Sequence, residues 1–345
     1  MVRFSGCYTA LITPMTSNRQ VDYDGLRQLI DFQIKNGVKG IVTVGTTGES
    51  PTLDWNEHNH VIREVFEHSS EKILTIAGTG SNSTQEAMEA TLHAQHLGVK
   101  CVLLVDPYYN GPSSMEIRRE YIEPIAKKFP EVKVIPYIIP GRTGTQLYPQ
   151  DLAILRKQYP NVSCVKEATG DLKNMELTRQ LCGDEFDILS GDDDKTYTMM
   201  ISPDIQASGV ISVMSNVAPS SIVCMVHYLL DGNEEAANVI AQALQPLFNI
   251  ITVKTQEETQ YGPVTCKARN PLACKTLMNV LGMPSGPCRQ PLGKMTRGGL
   301  EAVLTNVRKV YDANPQILQP IADYFGVNLK DRLYNEKYLE ELYYA

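Results

Sequence analysis

Eight short runs of apolar and β-branched residues recur along the first two thirds of the chain, and this repetition constrains the fold more than any other feature. Glycine, proline, asparagine or aspartate bounds each run, and most runs lack polar alternation, which indicates strands that are covered on both faces. The predicted strands span residues 6–12, 40–44, 73–77, 101–105, 132–137, 162–166, 187–190 and 207–213.

Helix-like segments with one apolar face separate these strands. The segment 22–36, for example, places Leu26, Leu29 and Ile30 on one face, and 54–68 and 84–97 also read as helices. Alternating strands and helices indicate a parallel α/β fold, either a closed (β/α)8 TIM barrel or an open doubly wound sheet. The count of eight, the even spacing and the absence of a Gly-x-Gly-x-x-Gly phosphate loop after the first strand favour the barrel.

Beyond about residue 218 the strand signal stops and a C-terminal helical extension is predicted. We therefore expect a catalytic barrel over 1–232 and a helical region over 233–345, with a polar loop insertion at 255–270 and a tyrosine-rich tail that docks on the body or frays. The predicted helices of this part span 220–231, 234–253, 271–281, 298–311 and 315–325.

Composition excludes several classes of function. The 345 residues carry 32 basic and 39 acidic side chains, a net charge of −7, without a long basic run, which argues against nucleic-acid or anionic-membrane binding. No apolar run reaches the roughly 20 residues of a membrane span, and the N-terminus lacks a signal-peptide pattern, so we expect a cytoplasmic protein. The eight cysteines are scattered, as in a reducing compartment, and the close histidine pairs lack further ligands, so no metal site is expected.

The sharpest chemical signal is a lysine at the end of the sixth predicted strand. In a β/α barrel the active site lies at the C-terminal ends of the strands, where Lys166 follows an apolar run. Burial disfavours the charged amine and lowers its pKa, which makes it a nucleophile able to form a Schiff base with a carbonyl. The alternatives are a lysine that extends to solvent and one that pairs with Glu167.

Other strand ends carry polar groups that also have plainer explanations. At 45–50, two glycines bracket two threonines, which indicates either a binding site for a carboxylate or a plain turn. Residues 107–110 read as an aromatic loop. Tyr137 ends the fifth strand, and Arg142 follows on a Pro/Gly loop as a carboxylate grip or a structural ion-pair partner. Three aspartates at 192–194 suit a metal or, more simply, a helix cap, and Gly209 would let a ligand approach the backbone.

These groups converge on one end of the barrel, and the motifs that carry them resemble a known family. The chain is similar to the dihydrodipicolinate synthases, within the wider N-acetylneuraminate lyase family of Schiff-base aldolases, over about residues 4–250. The matching motifs are G-T-T-G-E-S at 45–50, A-G-T-G at 77–80, P-Y-Y-N at 107–110, Y-x-x-P-G-R-T-G at 137–144, V-K-E-A-T-G at 165–170, S-G-D-D at 190–193 and G-V-I-S-V at 209–213.

The resemblance implies a set of catalytic roles. Lys166 would form the Schiff base with pyruvate, and Tyr137 would transfer protons through Thr46 to Tyr109, which in this family reaches in from a neighbouring subunit. The expected assembly is a homotetramer or homodimer, and no cofactor is implied. The residues that would bind pyruvate or the second substrate, L-aspartate 4-semialdehyde, are Thr47, Arg142, Gly191 and Ile211.

The resemblance further implies inhibition by L-lysine at a site between paired subunits. Glu86 would pair with its ammonium group, Asn82 and Tyr108 would bind its carboxylate, and Trp55 would cover its alkyl chain. In the plainer alternative, Trp55 packs the start of its helix and Glu86 supports a helix N-terminus. The matching positions are Ser50, Pro51, Trp55, His58, Asn82, Glu86 and Tyr108.

The chain departs from the family pattern at Ile138, where the family usually has asparagine, and in the 255–270 segment and the long tail. The nearest rival function is another pyruvate-dependent aldolase that cleaves N-acetylneuraminate or a 2-keto-3-deoxy sugar acid. Such an enzyme would share Lys166 and Tyr137 but usually lack Arg142 and the 108–110 loop. A non-catalytic binding protein would require a damaged set of these residues.

Overall fold

Eight parallel strands close into a barrel, as the strand count predicted. The computed structural model describes residues 3–69 and 72–344. Strands pair in sequence order, and β8 pairs with β1 to complete the ring. The strands are β1 Gly6–Ala10, β2 Gly40–Thr43, β3 Leu74–Gly78, β4 Cys101–Val105, β5 Lys133–Ile138, β6 Cys164–Glu167, β7 Asp187–Ser190 and β8 Gly209–Ser212.

A helix follows each strand and covers the outside of the barrel. Helix α4 spans residues 114–128 and contains a π-helical part, Ile117–Ile122. The other helices of the ring are α1 Tyr23–Lys35, α2 Trp55–Ser69, α3 Thr84–Leu97, α5 Pro149–Gln158, α6 Leu172–Cys182, α7 Thr196–Ile201 and α8 Pro219–Leu230. Among the described residues, no helix is long and apolar enough to cross a membrane.

The barrel has two apolar cores, one inside the ring of strands and one between strands and helices. Tyr137 and Ile211 belong to the inner core, whereas Ile138 points outward and is fully buried in the outer core. The two cores follow from the alternation of side chains along each strand, since neighbouring residues face opposite sides of a sheet.

Gly209 has a different role from the one that the sequence suggested. A Cβ atom at this position would lie 2.1 Å from the carbonyl oxygen of Gly6, its partner in the β1–β8 pairing. The missing side chain therefore allows the barrel to close, because β1 and β8 approach each other closely at this point. Glycine is therefore required at position 209 by the pairing of β1 with β8, and not by the approach of a ligand that the sequence suggested.

The segment 255–270 is a β-hairpin, so the predicted polar loop was wrong. Strands β9 Thr252–Thr259 and β10 Gly262–Arg269 pair antiparallel around a tight turn. Val253 on one face is buried, whereas the side chains that alternate with it are exposed. Polar composition concealed this period of two, which is the signal of a half-exposed strand.

Helices complete the C-terminal region, and the tail docks on it. The preceding helix ends at Phe248, five residues before the predicted end. Leu333 and Leu339 of the tail are buried, and Arg332 donates to the carbonyl oxygen of Val280 at 2.9 Å, so the docked alternative holds. These helices are α9 Glu234–Phe248, α10 Leu272–Leu281, α11 Arg297–Ala313, α12 Gln319–Phe325 and α13 Leu329–Tyr334.

Candidate active site

Lys166 and Tyr137 meet at the C-terminal ends of neighbouring strands. They are direct partners in the register of β5 and β6, and the Lys166 ammonium nitrogen lies 4.1 Å from the centre of the Tyr137 ring. Lys166 is only 4% exposed, so its side chain does not extend to solvent. Glu167 faces the other side of β6, where its carboxylate accepts bonds from the Thr169 N–H at 2.7 Å and the Asn174 amide at 3.1 Å.

The surroundings of this pair tune both groups for acid–base and nucleophilic chemistry. Burial lowers the pKa of Lys166 to about 8, although the negative charges of Asp192 and Asp193 oppose that shift. The positive charge of Arg142 lowers the pKa of Lys166 further. Burial also raises the pKa of Tyr137 to about 12, so its hydroxyl keeps its proton near neutral pH. The site therefore offers a partly neutral amine beside a proton donor.

The loop after β2 places two threonine hydroxyls in different positions. The Thr46 hydroxyl is hydrogen-bonded to Tyr137, which is the contact that the predicted proton relay requires first. The Thr47 hydroxyl accepts a bond from the Asn270 amide at 2.9 Å. A buried ion pair between Glu49 and Lys275 anchors the end of the loop, and the Arg289 N–H donates to the second Glu49 oxygen at 2.8 Å. These contacts fix the loop before any ligand arrives.

Arg142 lies at the mouth of the barrel on a one-turn helix, Pro140–Thr143. Its guanidinium donates to the carbonyl oxygen of Asn270 at 2.8 Å, and it does not contact a carboxylate within 4 Å among the described residues. Within the described part of the chain, Arg142 therefore does not form the structural ion pair that was the alternative to binding a carboxylate. Arg142, Thr46 and Tyr137 line a cleft of about 230 Å³ that opens to solvent.

Asn270 is a site residue that sequence reasoning missed. It follows the hairpin, and it joins two predicted substrate-binding residues by donating to Thr47 and accepting from Arg142. The side chain is 6% exposed, and its amide oxygen has no partner among the described residues. The only local signal was the Asn-Pro dipeptide at 270–271, which marks a turn but does not identify its neighbours.

The ends of β7 and β8 shape the floor of the site. A Cβ atom on Gly191 would lie 3.2 Å from Cε of Lys166 and 2.7 Å from Cβ of Ala168, so glycine leaves room for the lysine. Ile211 is fully buried in the inner core.

The three aspartates at 192–194 do not form a metal site. The Asp193 carboxylate accepts bonds from the Ser212 hydroxyl and from the Val213 and Met214 N–H groups, at 2.8 and 3.4 Å for the two amides. It therefore caps the turn after β8. Within residues 3–69 and 72–344, no group of three or more His, Cys, Asp or Glu side chains is placed to hold a metal.

The two tyrosines of the 107–110 loop have different environments. Tyr108 is half-buried and lines the cleft. Tyr109 is 91% exposed and has a φ of 80°, in the left-handed region that bulky residues rarely adopt. Within one chain, therefore, Tyr109 is not brought to Thr46.

A second cavity, of about 150 Å³, adjoins the cleft and is lined by all seven residues of the predicted lysine site. Trp55 is 37% exposed there, and burial lowers the pKa of His58 to about 4, so that ring is neutral near pH ~7. The Glu86 carboxylate accepts a bond from the Ser81 hydroxyl. Both cavities share four lining residues, Ser50, Pro51, Gly80 and Tyr108.

Comparison with known proteins adds independent findings. Residues 3–309 match the model of the dihydrodipicolinate synthetase family. A 4-hydroxy-tetrahydrodipicolinate synthase from Methanococcus maripaludis is 41% identical over 305 residues, which cover 88% of this chain and 98% of the relative.

Two solved structures are similar along most of their length. A dihydrodipicolinate synthase from Cyanidioschyzon merolae with lysine bound superposes with a TM-score of 0.81 at 32% identity, covering 89% of this chain and 98% of the other. A chloride-inhibited dihydrodipicolinate synthase from Acinetobacter baumannii, complexed with pyruvate, gives 0.80 at 31% identity with the same coverage.

Proposed function

This chain belongs to the dihydrodipicolinate synthetase family, and from that premise we propose that it is a 4-hydroxy-tetrahydrodipicolinate synthase, which condenses pyruvate with L-aspartate 4-semialdehyde. The observation that carries the proposal is the buried amine of Lys166 over the ring of Tyr137, whose hydroxyl keeps its proton. All eight cysteines are free thiols, which fits the reducing cytoplasm where we place the enzyme.

The reaction begins at Lys166. Its neutral amine attacks the C2 carbonyl of pyruvate, and the carbinolamine loses water to give an iminium ion. Tyr137 supplies and removes the protons of these steps, because its ring lies against the amine and its hydroxyl is hydrogen-bonded to Thr46. Loss of a methyl proton then converts the iminium ion into an enamine, whose C3 carbon is the nucleophile of the next step.

The enamine attacks the aldehyde carbon of L-aspartate 4-semialdehyde, and the aldehyde oxygen takes up a proton to become a hydroxyl group. The amino group of the new chain then adds to C2 and displaces Lys166, which closes the ring and regenerates the free amine. One water molecule is released overall. Arg142 grips the carboxylate of the semialdehyde, while Thr47, the backbone at Ile211 and Gly191 hold pyruvate.

Borohydride trapping tests the nucleophile directly. Incubation with pyruvate and borohydride should add one reduced pyruvate to Lys166, located by peptide mass spectrometry. Lys275 is the internal control, because it is equally buried but held in an ion pair with Glu49. Adduct on any lysine other than Lys166 would refute the assignment, and Lys166→Ala should lose nearly all activity with the fold intact.

Assays with alternative substrates separate the proposed reaction from that of the rival aldolases. The condensation assay should show turnover with L-aspartate 4-semialdehyde. Cleavage of N-acetylneuraminate or a 2-keto-3-deoxy sugar acid should be slow by comparison, because Arg142 lines the cleft where we place the carboxylate of the semialdehyde. Preferential cleavage of a sugar acid would favour the rival function.

We further propose that L-lysine inhibits the enzyme from the second cavity. The cavity offers Glu86 to an ammonium group, Asn82 and Tyr108 to a carboxylate and Trp55 to an alkyl chain. Binding should change the fluorescence of Trp55, which is the only tryptophan. Glu86→Ala should abolish inhibition and spare catalysis, and unchanged activity and fluorescence in millimolar L-lysine would contradict this regulatory proposal alone.

The assembly we propose is a homotetramer or homodimer in which Tyr109 enters the site of a neighbouring subunit. Its support in this chain is that Tyr109 is exposed in a strained backbone conformation at the edge of the cleft. A partner subunit that orders the loop would compensate for this conformation.

A further inference from the structure

The β9–β10 hairpin presents a row of cations on one face. Lys254 and Lys267 are direct cross-strand partners, and Arg269 lies two residues beyond Lys267, so the three side chains share one face of the two-stranded sheet. The opposite face carries Val253 and Cys266, which line a small cavity against α11. We call Lys254, Lys267 and Arg269 the hairpin cation face.

The hairpin cation face adjoins the mouth of the barrel. The Arg269 guanidinium donates to the carbonyl oxygen of Gly141 at 3.0 Å, directly beside Arg142. The next residue, Asn270, accepts from Arg142. Arg269, Lys254 and Arg142 all lower the pKa of Lys267 by charge repulsion, Arg269 most strongly. Lys254, Lys267 and Arg269 therefore form a positive group that is continuous with Arg142, which lines the cleft.

These positive charges have no acidic partners close by. Across residues 3–69 and 72–344, no carboxylate oxygen lies within 4 Å of a nitrogen of the hairpin cation face. Like charges placed directly opposite on paired strands destabilise the pairing. Glu258, the acidic residue on this face, lies toward the tip of the hairpin, opposite Pro263. The chain as a whole is acidic, with a net charge of −7, so this local excess of positive charge opposes the overall balance.

We propose that the hairpin cation face is an anion-recruiting surface that draws the carboxylate of a 2-oxo acid toward Lys166 before the Schiff base forms. The inference rests on the proposed function, because a 2-oxo acid is the first substrate of that reaction. The face acts on the rate of encounter rather than on chemistry, since exposed charges steer an approaching ion without contacting the reacting atoms. Arg142 continues the row of positive charge into the cleft.

The test compares two variants that lose the same amount of charge. Lys254→Gln combined with Lys267→Gln removes two of the three charges of the hairpin cation face. Lys39→Gln combined with Lys100→Gln removes two charges from lysines that precede β2 and β4, at the opposite end of the barrel. All four lysines are exposed, so both variants should fold. Rapid mixing with pyruvate followed by borohydride quenching gives the second-order rate of adduct formation, and the final adduct on Lys166 reports folded enzyme.

At low salt, the hairpin variant should form the adduct about three- to five-fold more slowly than the wild type, as expected for two charges roughly 10 Å from a monoanion in water. The barrel-bottom variant should match the wild type. In about 1 M salt, where the Debye length is about 3 Å, all three rates should converge.

Equal rates for the hairpin variant and the wild type at low salt would overturn the inference. A loss that persists in high salt would also overturn it, because it would arise from packing rather than from charge. Adduct formation by the wild type distinguishes failure of this inference from failure of the proposed function.

If the wild type forms no adduct, both the proposed function and the recruiting role are contradicted. If it forms the adduct normally but without salt dependence, only the recruiting role is contradicted.

Discussion

Replacing Asp192 with asparagine should make Lys166 a better nucleophile at neutral pH. The Asp192 carboxylate stabilises the charged form of Lys166, in opposition to burial, and the balance sets the pKa at about 8. With that value, about one tenth of the amine is neutral at about pH 7. Removing the negative charge should lower the pKa by about one unit, which corresponds to about 1.4 kcal/mol and leaves about half of the amine neutral.

The measurement is the rate of pyruvate adduct formation as a function of pH, with borohydride as the trap. In the wild type, the rate should rise as pH increases through about 8 and then level off, because only the neutral amine attacks. Tyr137 should not impose a fall within this range, since its pKa is about 12. Asp192→Asn should move the midpoint to lower pH and give about a fivefold faster rate at about pH 7 with an unchanged plateau.

Arg142→Gln is the matched control of opposite sign. The Arg142 guanidinium lowers the pKa of Lys166, so its removal should move the midpoint to higher pH. The assay uses pyruvate alone, and the grip that we assign to Arg142 on the second substrate therefore does not enter. Midpoints that do not move, or that move in the reverse order, would refute the electrostatic account of Lys166.

Three further substitutions test the rest of the site. Tyr137→Phe keeps the ring but removes the proton donor, so turnover should fall by about 10²- to 10⁴-fold in the condensation assay; wild-type turnover would end its assigned role. Tyr109→Phe should slow turnover, and mixing Tyr109→Phe subunits with Lys166→Ala subunits should restore activity only if Tyr109 crosses between subunits. Asn270→Ala should raise KM for pyruvate more than it lowers kcat, because Thr47 loses the side-chain amide that donates to it, whereas the backbone carbonyl that accepts from Arg142 is retained; an unchanged KM would contradict this positioning role.

The barrel could be predicted from the sequence because each of its strands coincides with a local run of apolar residues. Two of the eight, Cys101–Val105 and Asp187–Ser190, have the predicted limits, and the others differ by one or two residues at their ends. Lys166 could be assigned to the barrel mouth for the same reason, since the end of a strand fixes the position of the residue that ends it.

The hairpin and its consequences could not be predicted in the same way. Its inward residues are mostly small or polar, so the period of two does not appear as a change in hydropathy. The position of Asn270 between Thr47 and Arg142 depends on contacts across 223 and 128 residues of sequence. A local pattern carries no information about such contacts.

The replacement of the family's usual asparagine by Ile138 illustrates how position decides the effect of a substitution. Tyr137 and Ile138 are adjacent, yet they face opposite sides of β5, one toward the amine of Lys166 and the other into the outer core. An isoleucine suits that core, because an amide buried there would need hydrogen-bond partners. The departure therefore leaves Tyr137, the proposed proton donor, in place.

The loop after β2 joins the two cavities physically. It carries Thr46 at the cleft and Ser50 at the wall that both cavities share, only four residues apart. Between them, Glu49 is tied to Lys275 in a fully buried ion pair and has a left-handed backbone conformation. A ligand that displaces Ser50 would therefore have to move Glu49 and Lys275 together, because breaking a buried pair costs about 3–5 kcal/mol. We propose that this joint movement carries Thr46 away from the Tyr137 hydroxyl, so that a ligand in the second cavity slows proton transfer without entering the cleft.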